Sequence, residues 1–253
     1  MKEQLYTIPL NDAVNANDEC PFCHIERSVE QDLLDFVLGS GSSYMEADIR
    51  EMTDNAGFCR QHFQKMFDYG NTLGNAWILK THYQKVIGEM KEQFARFKPA
   101  KTTLKDKFRK TAESSNAIGM WVRKKESSCY VCDHFKDTYE RYMDTFFYLW
   151  KQDAEFCRKV KEGRGFCLHH FGDLCEAADS RLAGNEKDTF YEIMFPLMER
   201  NMQRLAEDVA WMVEKFDYRN KDADWKDSKD AIQRGMQKLK GGYPADGPYK
   251  MNK

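Results

Sequence analysis

From Ile25 the apolar positions step through Val29, Leu33, Phe36 and Val37, and from Phe135 through Tyr139, Met143, Phe146 and Phe147. Steps of three and four predict amphipathic helices. Two longer series follow: Leu79, Tyr83, Val86, Met90, Phe94 and Phe97, then Met198, Met202, Leu205, Val209, Met212 and Phe216. Their heptad-like spacing predicts long helices that pack along each other or against the shorter ones. Strand-like alternation is scarce and only six prolines interrupt 253 residues, so the pattern predicts an all-α fold. Ile232, Met236 and Leu239 predict a last short helix, followed from Gly241 by a Gly/Pro-rich tail expected to dock loosely or stay disordered.

The helical pattern is written twice, and so is a set of cysteines and histidines. Cys20-Pro21-Phe22-Cys23 precedes Gly57-Phe58-Cys59-Arg60-Gln61-His62-Phe63; Cys129-Tyr130-Val131-Cys132 precedes Gly165-Phe166-Cys167-Leu168-His169-His170-Phe171. In the first copy 35 residues separate Cys23 from Cys59, and in the second 34 separate Cys132 from Cys167. Six of the eight cysteines fall in this grid, which supplies two sets of three thiolates and one imidazole. That donor set suits two closed tetrahedral metal sites, with zinc the expected ion (two per chain) and an iron–sulfur cluster the alternative. A closed shell leaves no position for substrate and argues for a structural role. Spacings of 34 and 35 residues let a helix run out and return, so the expected ligand sets lie within each half: Cys20, Cys23, Cys59 and His62, then Cys129, Cys132, Cys167 and His170. The glycine before each Phe-Cys permits a tight turn, and Phe58, Phe63, Phe166 and Phe171 should shield the sites.

This grid predicts a two-repeat helical metalloprotein with a pseudo-twofold arrangement. The expected divisions are a first repeat over 1–98, a basic linker or helix over 99–126, a second repeat over 127–218, and a polar helix and tail over 219–253. Leu73-Gly74-Asn75 and Leu182-Ala183-Gly184-Asn185 recur at matching places, where glycine could end a helix in the left-handed conformation. Lys91 to Glu126 carries eleven Lys or Arg against four acids and includes Phe94, Phe97, Phe108 and Trp121. Nucleic-acid contact is conceivable there, although a solvated linker is the stronger reading.

Composition changes little. A formal charge of −2 with 42% hydrophobic and 32% charged residues suits an ordinary globular chain without a strong global field. Met1 to Thr7 has no apolar signal region and no stretch is long enough to span a membrane, so a cytoplasmic protein is expected. In a reducing compartment the cysteines are metal ligands or buried thiols rather than disulfides.

Cys20 to His24 also matches a haem-attachment pattern, but the second copy has Asp133 where His24 aligns. A thioredoxin-like redox pair lacks its alternating strands and helices. His169 could replace His170 as ligand, but the first copy has Gln61 there; His24, His82 and His134 read as surface or supporting residues. Cys157 and Cys175 have no counterparts and read as buried thiols. No catalytic signature accompanies the grid. The expected role is a binding or scaffold module for an unidentified protein or small ligand, with a redox or iron–sulfur enzyme or sensor as the alternative.

The CPFC, GFCRQHF, CYVC and GFCLHHF segments, with Phe216-Asp217-Tyr218-Arg219 and Trp225-Lys226-Asp227-Ser228-Lys229-Asp230-Ala231, make the chain resemble an uncharacterised bacterial domain family of unknown function. That family is common in anaerobic Firmicutes, and members are sometimes labelled ABC transporter substrate-binding proteins. The resemblance covers nearly the whole chain and implies no established activity. A solute-binding role would require export, for which the N-terminus offers no signal.

Overall fold

In the computed structural model, residues 2–41, 43–99 and 116–251 are described, and every regular element among them is helical. The α-helices are α1 (Lys2–Asn15), α2 (Pro21–Leu38), α3 (Ala47–Ala56), α4 (Arg60–Tyr69), α5 (Thr72–Arg96), α6 (Ala117–Glu126), α7 (Tyr130–Gln152), α8 (Ala154–Glu162), α9 (Leu168–Arg181), α10 (Gly184–Glu214) and α11 (Ala231–Lys240). Much of the basic stretch over 99–126, Phe108 included, lies outside the described residues. Its end forms α6, where the Asn116 side chain accepts from the N–H groups of Ile118 and Gly119.

The chain divides into two units, one of residues 1–29 and 137–247, the other of 30–136 and 248–253. Each unit draws chain from both sequence halves, and the division falls inside α2 and inside α7.

The first unit has an aromatic core. Phe22, Phe146, Phe147, Phe156, Phe166 and Phe190 are fully buried, and each such side chain contributes about 1.5–3 kcal/mol. Phe146 meets Phe156 and Phe166 edge-on at 5.5 and 5.9 Å, and Trp150 meets Phe190 at 5.3 Å. Helix α11 reverses the expected orientation. Ile232, Met236 and Leu239 are 49%, 55% and 51% exposed, whereas Ala231, Arg234, Gln237 and Lys238 are buried. The polar face turns inward because a buried carboxylate, Glu19, collects its cations: Lys238 Nζ lies 3.2 Å and Arg234 Nη1 3.3 Å from it.

The second unit packs Leu34, Val37 and Leu38 of α2 against Phe58, Met66, Tyr69, Ile78, Tyr130 and Val131. Tyr249 joins this core, so the C-terminal tail is docked rather than loose. Its hydroxyl donates to the Glu30 carboxylate, the Lys65 ammonium lies 5.2 Å from its ring centroid, and Gln31 Nε2 donates to the Lys250 carbonyl at 2.8 Å.

Two finer expectations change. Gly74 and Gly184 lie at helix starts, Gly74 in the first turn of α5 where Asn71 accepts its N–H at 2.9 Å, while the left-handed terminator is Gly70 after α4. On α5 only Gly74 and Ile78 are buried; Leu79, Tyr83 and Phe94 are exposed. The 25 residues of α5 rise about 37 Å, whereas the ten-residue helices α3 and α6 packed on it cover about 15 Å each. On α10, Met198 and Leu205 are buried but Val209 is exposed, as is Phe216 just beyond its end.

Candidate metal centres

Four of the eight predicted ligands stand immediately before a helix: Cys20 before α2, Cys59 before α4, Cys129 before α7 and Cys167 before α9. Pro21 suits its first-turn place, since it lacks the N–H that a helix start leaves unpaired. Cys59 and Cys167 cap their helices with almost identical backbone angles (φ −72, ψ 166 and φ −71, ψ 161). A second ligand follows three residues after each: Cys23, His62, Cys132 and His170. One turn of helix places the two on one face, and the positive helix end favours thiolate. The turns into α4 and α9 need glycine. Gly57 and Gly165 have φ of +65 and +73, and an added Cβ would meet the His82 ring at 3.0 Å or the Met198 sulfur at 3.1 Å.

All eight residues gather in two groups, but the pairing within each sequence half is incorrect. Cys20 and Cys23 meet Cys167 and His170 in the first unit; Cys59 and His62 meet Cys129 and Cys132 in the second. The reason lies in helix length. The 18 residues of α2 rise about 27 Å, but the ten of α3 return only about 15 Å. The first GFCxxH turn therefore arrives beside Glu30, seven residues past Cys23, where His62 Nε2 lies 3.3 Å from the Glu30 carboxylate. In the second half α7, of 23 residues, also outruns the nine-residue α8, by more than the seven-residue offset observed, so the lengths give the direction of the shift and not its size. The second turn arrives beside Tyr139, seven residues past Cys132, whose ring centroid is 5.7 Å from that of His170.

The donor atoms of each group are close enough together to hold one ion. In the first unit the sulfurs of Cys20, Cys23 and Cys167 lie 3.2, 3.6 and 3.2 Å from His170 Nδ1, and Cys23 and Cys167 are 3.8 Å apart. In the second, the sulfurs of Cys59, Cys129 and Cys132 lie 3.2, 3.2 and 3.4 Å from His62 Nδ1, with 4.0 Å between Cys59 and Cys132. Zinc bonds of about 2.3 Å to sulfur and about 2.0–2.1 Å to nitrogen give tetrahedral edges of about 3.8 Å (S···S) and about 3.6 Å (S···N). A disulfide would require about 2.05 Å.

Without a cation, each group holds more potential negative charge than it can carry. Burial pushes the Cys20 thiol well up, and the neighbouring thiols raise Cys23 and hold Cys167 far down. In the second unit burial acts upward on Cys129, but His62 outweighs it and brings the thiol to about 6; burial and the neighbouring Cys129 push Cys132 up to about 12. Burial acts downward on both histidines, yet their thiol and carboxylate partners outweigh it and raise His62 to about 10 and His170 to about 12. A dication would supply the missing positive charge and displace these protons.

The surroundings differ. In the first unit all four donors are buried. Lys238 Nζ donates to the carbonyls of Glu19 and Arg164, at 2.5 and 2.6 Å, which tethers the chain just before Cys20 to the chain just before the Gly165 turn. At the end of α11, Gly241 brings backbone against the sulfurs of Cys167 and Cys23, 3.6 and 3.8 Å from where a Cβ would stand. The Glu26 carboxylate is 3.2 Å from His170 Nε2, an ion-pair distance without hydrogen-bond alignment. In the second unit Cys132 is exposed and Cys59 half-buried. Glu30, held down at about 2 against the opposing effect of burial by His62, Lys65 and Tyr249, orients His62.

The remaining candidates fall outside the two four-donor groups. His169 is exposed and 3.7 Å from Asp173, although its ring offers a donor atom within 4.8 Å of Glu26 and His170. The Cys157 thiol donates to the Trp150 carbonyl at 2.9 Å. Sequence reasoning missed Glu19, Glu26, Glu30 and the α11 cations. For Glu19 the available signal was an acid directly preceding the CxxC.

The model of a family of unknown function, DUF6062, matches residues 1–246. The chain belongs to that family. No curated protein and no solved structure matches it. Membership of DUF6062 carries no activity, so the chemistry rests on the two groups of donors. Among the described residues no helix is long and apolar enough to cross a membrane.

Proposed function

We propose that this chain is a zinc protein whose two Cys3His centres hold a helical binding or scaffold module, acting in the cytoplasm on a protein or small-ligand partner. The observation that carries the reading is the set of donor separations, 3.2–3.6 Å from sulfur to nitrogen and 3.8–4.0 Å between sulfurs. The sulfur–sulfur separations fit the edges of a one-ion tetrahedron, and the sulfur–nitrogen separations fall within about 0.4 Å of them, in both units. Three thiolates and one imidazole select zinc among abundant ions, and a polynuclear iron cluster would require its ligand sulfurs farther apart. Four helix N-termini directed at the cysteines, with carboxylates beside the histidines, complete the surroundings expected of such centres.

The crossed ligand sets make the test specific. Purified protein should be colourless and hold two zinc ions per chain. Cys23→Ser/Cys167→Ser should lose one zinc, because both changes fall on one centre, while Cys23→Ser/Cys59→Ser should lose both. The opposite stoichiometry would restore pairing within each half, and a brown protein containing iron and sulfide would replace zinc by a cluster.

A further inference from the structure

The two groups have the same donors but not the same protection. Cys20, Cys167 and His170 have no exposed surface and Cys23 has 5%; in the second unit Cys132 is exposed and Cys59 half-buried. The first group is covered by the end of α11, with the Gly241 backbone against two sulfurs. In the second unit the donors are less covered, although Ile78 of α5 and Tyr249 pack in the same core cluster as Cys129. Cys59 and Cys132 are the two cysteines of this group that are not buried, and their sulfurs lie 4.0 Å apart, within reach of each other by side-chain rotation.

We propose that the second unit's centre is an oxidation site: a hydroperoxide reacts at Cys132, Cys59 closes a disulfide, and the metal leaves, while the first unit's centre stays intact. This rests on both centres binding zinc, since the ion holds Cys132 as the nucleophilic thiolate. In the first step the Cys132 sulfur attacks one peroxide oxygen. The S–O bond forms, the O–O bond breaks, and hydroxide leaves to take a proton from solvent. In the second step the Cys59 thiolate attacks the Cys132 sulfur. The S–S bond forms, the S–O bond breaks, and a second hydroxide is protonated. Two thiolates, one hydrogen peroxide and two protons give one disulfide and two waters, with two electrons passing from sulfur to oxygen. Two of the four ligands are then consumed, and Cys129 with His62 cannot retain the ion.

The test uses the full-length chain with its zinc content measured first. A content below two per chain overturns the metal reading and this proposal with it. With two zincs bound, hydrogen peroxide should release one at least ~10-fold faster than the other, in line with the exposure of the thiolates, as followed with a chromogenic chelator. Tryptic peptide mapping should find Cys59 joined to Cys132 and Cys20, Cys23 and Cys167 still reduced; Cys157 lies on a separate peptide, whereas Cys175 shares one with Cys167 and Cys129 shares one with Cys132, so fragmentation within those peptides assigns each sulfur. A dithiol reductant with added zinc should restore the second ion. Brief exposure of zinc-loaded protein to iodoacetamide gives an independent measurement that requires no variant, and Cys132 should be alkylated before the other five cluster cysteines. Equal release of both ions, first release from the Cys20 centre, or a disulfide between Cys129 and Cys132 would overturn the proposal even with the zinc content at two.

Discussion

Replacing Glu19 by glutamine removes the one carboxylate that four cations share. Arg204 Nη2 lies 2.6 Å from it, Lys238 Nζ 3.2 Å, and Arg164 and Arg234 3.3 Å each. The four do not lose equally. The side chains of Arg164 and Arg204 are 36% and 33% exposed, so water replaces much of their pairing, at about 0–1 kcal/mol each. Arg234 keeps Asp208 at 3.0 Å and Asp230 at 2.8 Å. Lys238, 1% exposed, keeps only neutral carbonyls. Removing one partner of a buried ion pair costs about 3–5 kcal/mol, and the glutamine oxygen can still accept from Lys238, so the low end applies. A loss of about 3 kcal/mol lowers the thermal midpoint of the first unit by roughly 6–12 °C. The pH dependence has a definite sign. Burial acts to raise the Glu19 carboxyl, but Arg204 and Lys238 outweigh it and hold the group below its usual 4.5. Its stabilisation is therefore complete above about pH 4.5 and is lost as pH falls through the lower folded value. Thermal unfolding of zinc-loaded wild type and Glu19→Gln should show the full gap at pH 7 and a narrowing gap below pH 4.5. A pH 7 difference within about 0.5 kcal/mol, the range of neutral surface changes, would refute the network's role, as would a gap that widens in acid.

The other tests are smaller. Tyr249→Ala should destabilise the second unit by about 3 kcal/mol in urea unfolding, since a loosely docked tail would show no effect. Gly57→Ala and Gly165→Ala should each cost about 1–3 kcal/mol for positive φ, plus the displacement of His82 or Met198, and should weaken zinc retention in a chelator competition; wild-type retention in both would mean the turns are not strained.

The helical class, the eight Cys and His positions that gather in two groups, and the two glycine turns were legible because each has a local cause: period, spacing and a backbone angle only glycine adopts easily. The orientation of α11 was not legible by that route. Its Ile232, Met236 and Leu239 form the more apolar face, and hydrophobicity alone turns them inward. The decisive term is the buried charge of Glu19, two hundred residues away in sequence, which recovers its lost hydration only if Arg234 and Lys238 face it. The docking of Tyr249 was hidden for the same reason, since its partners Glu30 and Lys65 belong to remote helices. Composition marked the tail as Gly/Pro-rich and said nothing of one aromatic anchor within it.

The ligand pairing was accessible in principle, because it follows from lengths that the sequence contains. A return helix as long as the outgoing one would bring Cys59 back to Cys23. The ten residues of α3 against the eighteen of α2 leave it about 12 Å short, at Glu30. If length is the cause, changing it must move the ligand. Inserting seven helix-forming residues in the middle of α3 would extend it by about 10 Å and two turns, which preserves the buried face of Ile49 and Thr53 but carries Cys59 and His62 away from Cys129, Cys132 and Glu30. Such a chain should retain one zinc, bound by Cys20, Cys23, Cys167 and His170, and lose the other. The same seven residues placed between Lys98 and Pro99, after the end of α5, should leave both ions in place. Two zincs in the α3 insertion would mean that the second centre assembles independently of α3, and the length argument would fall.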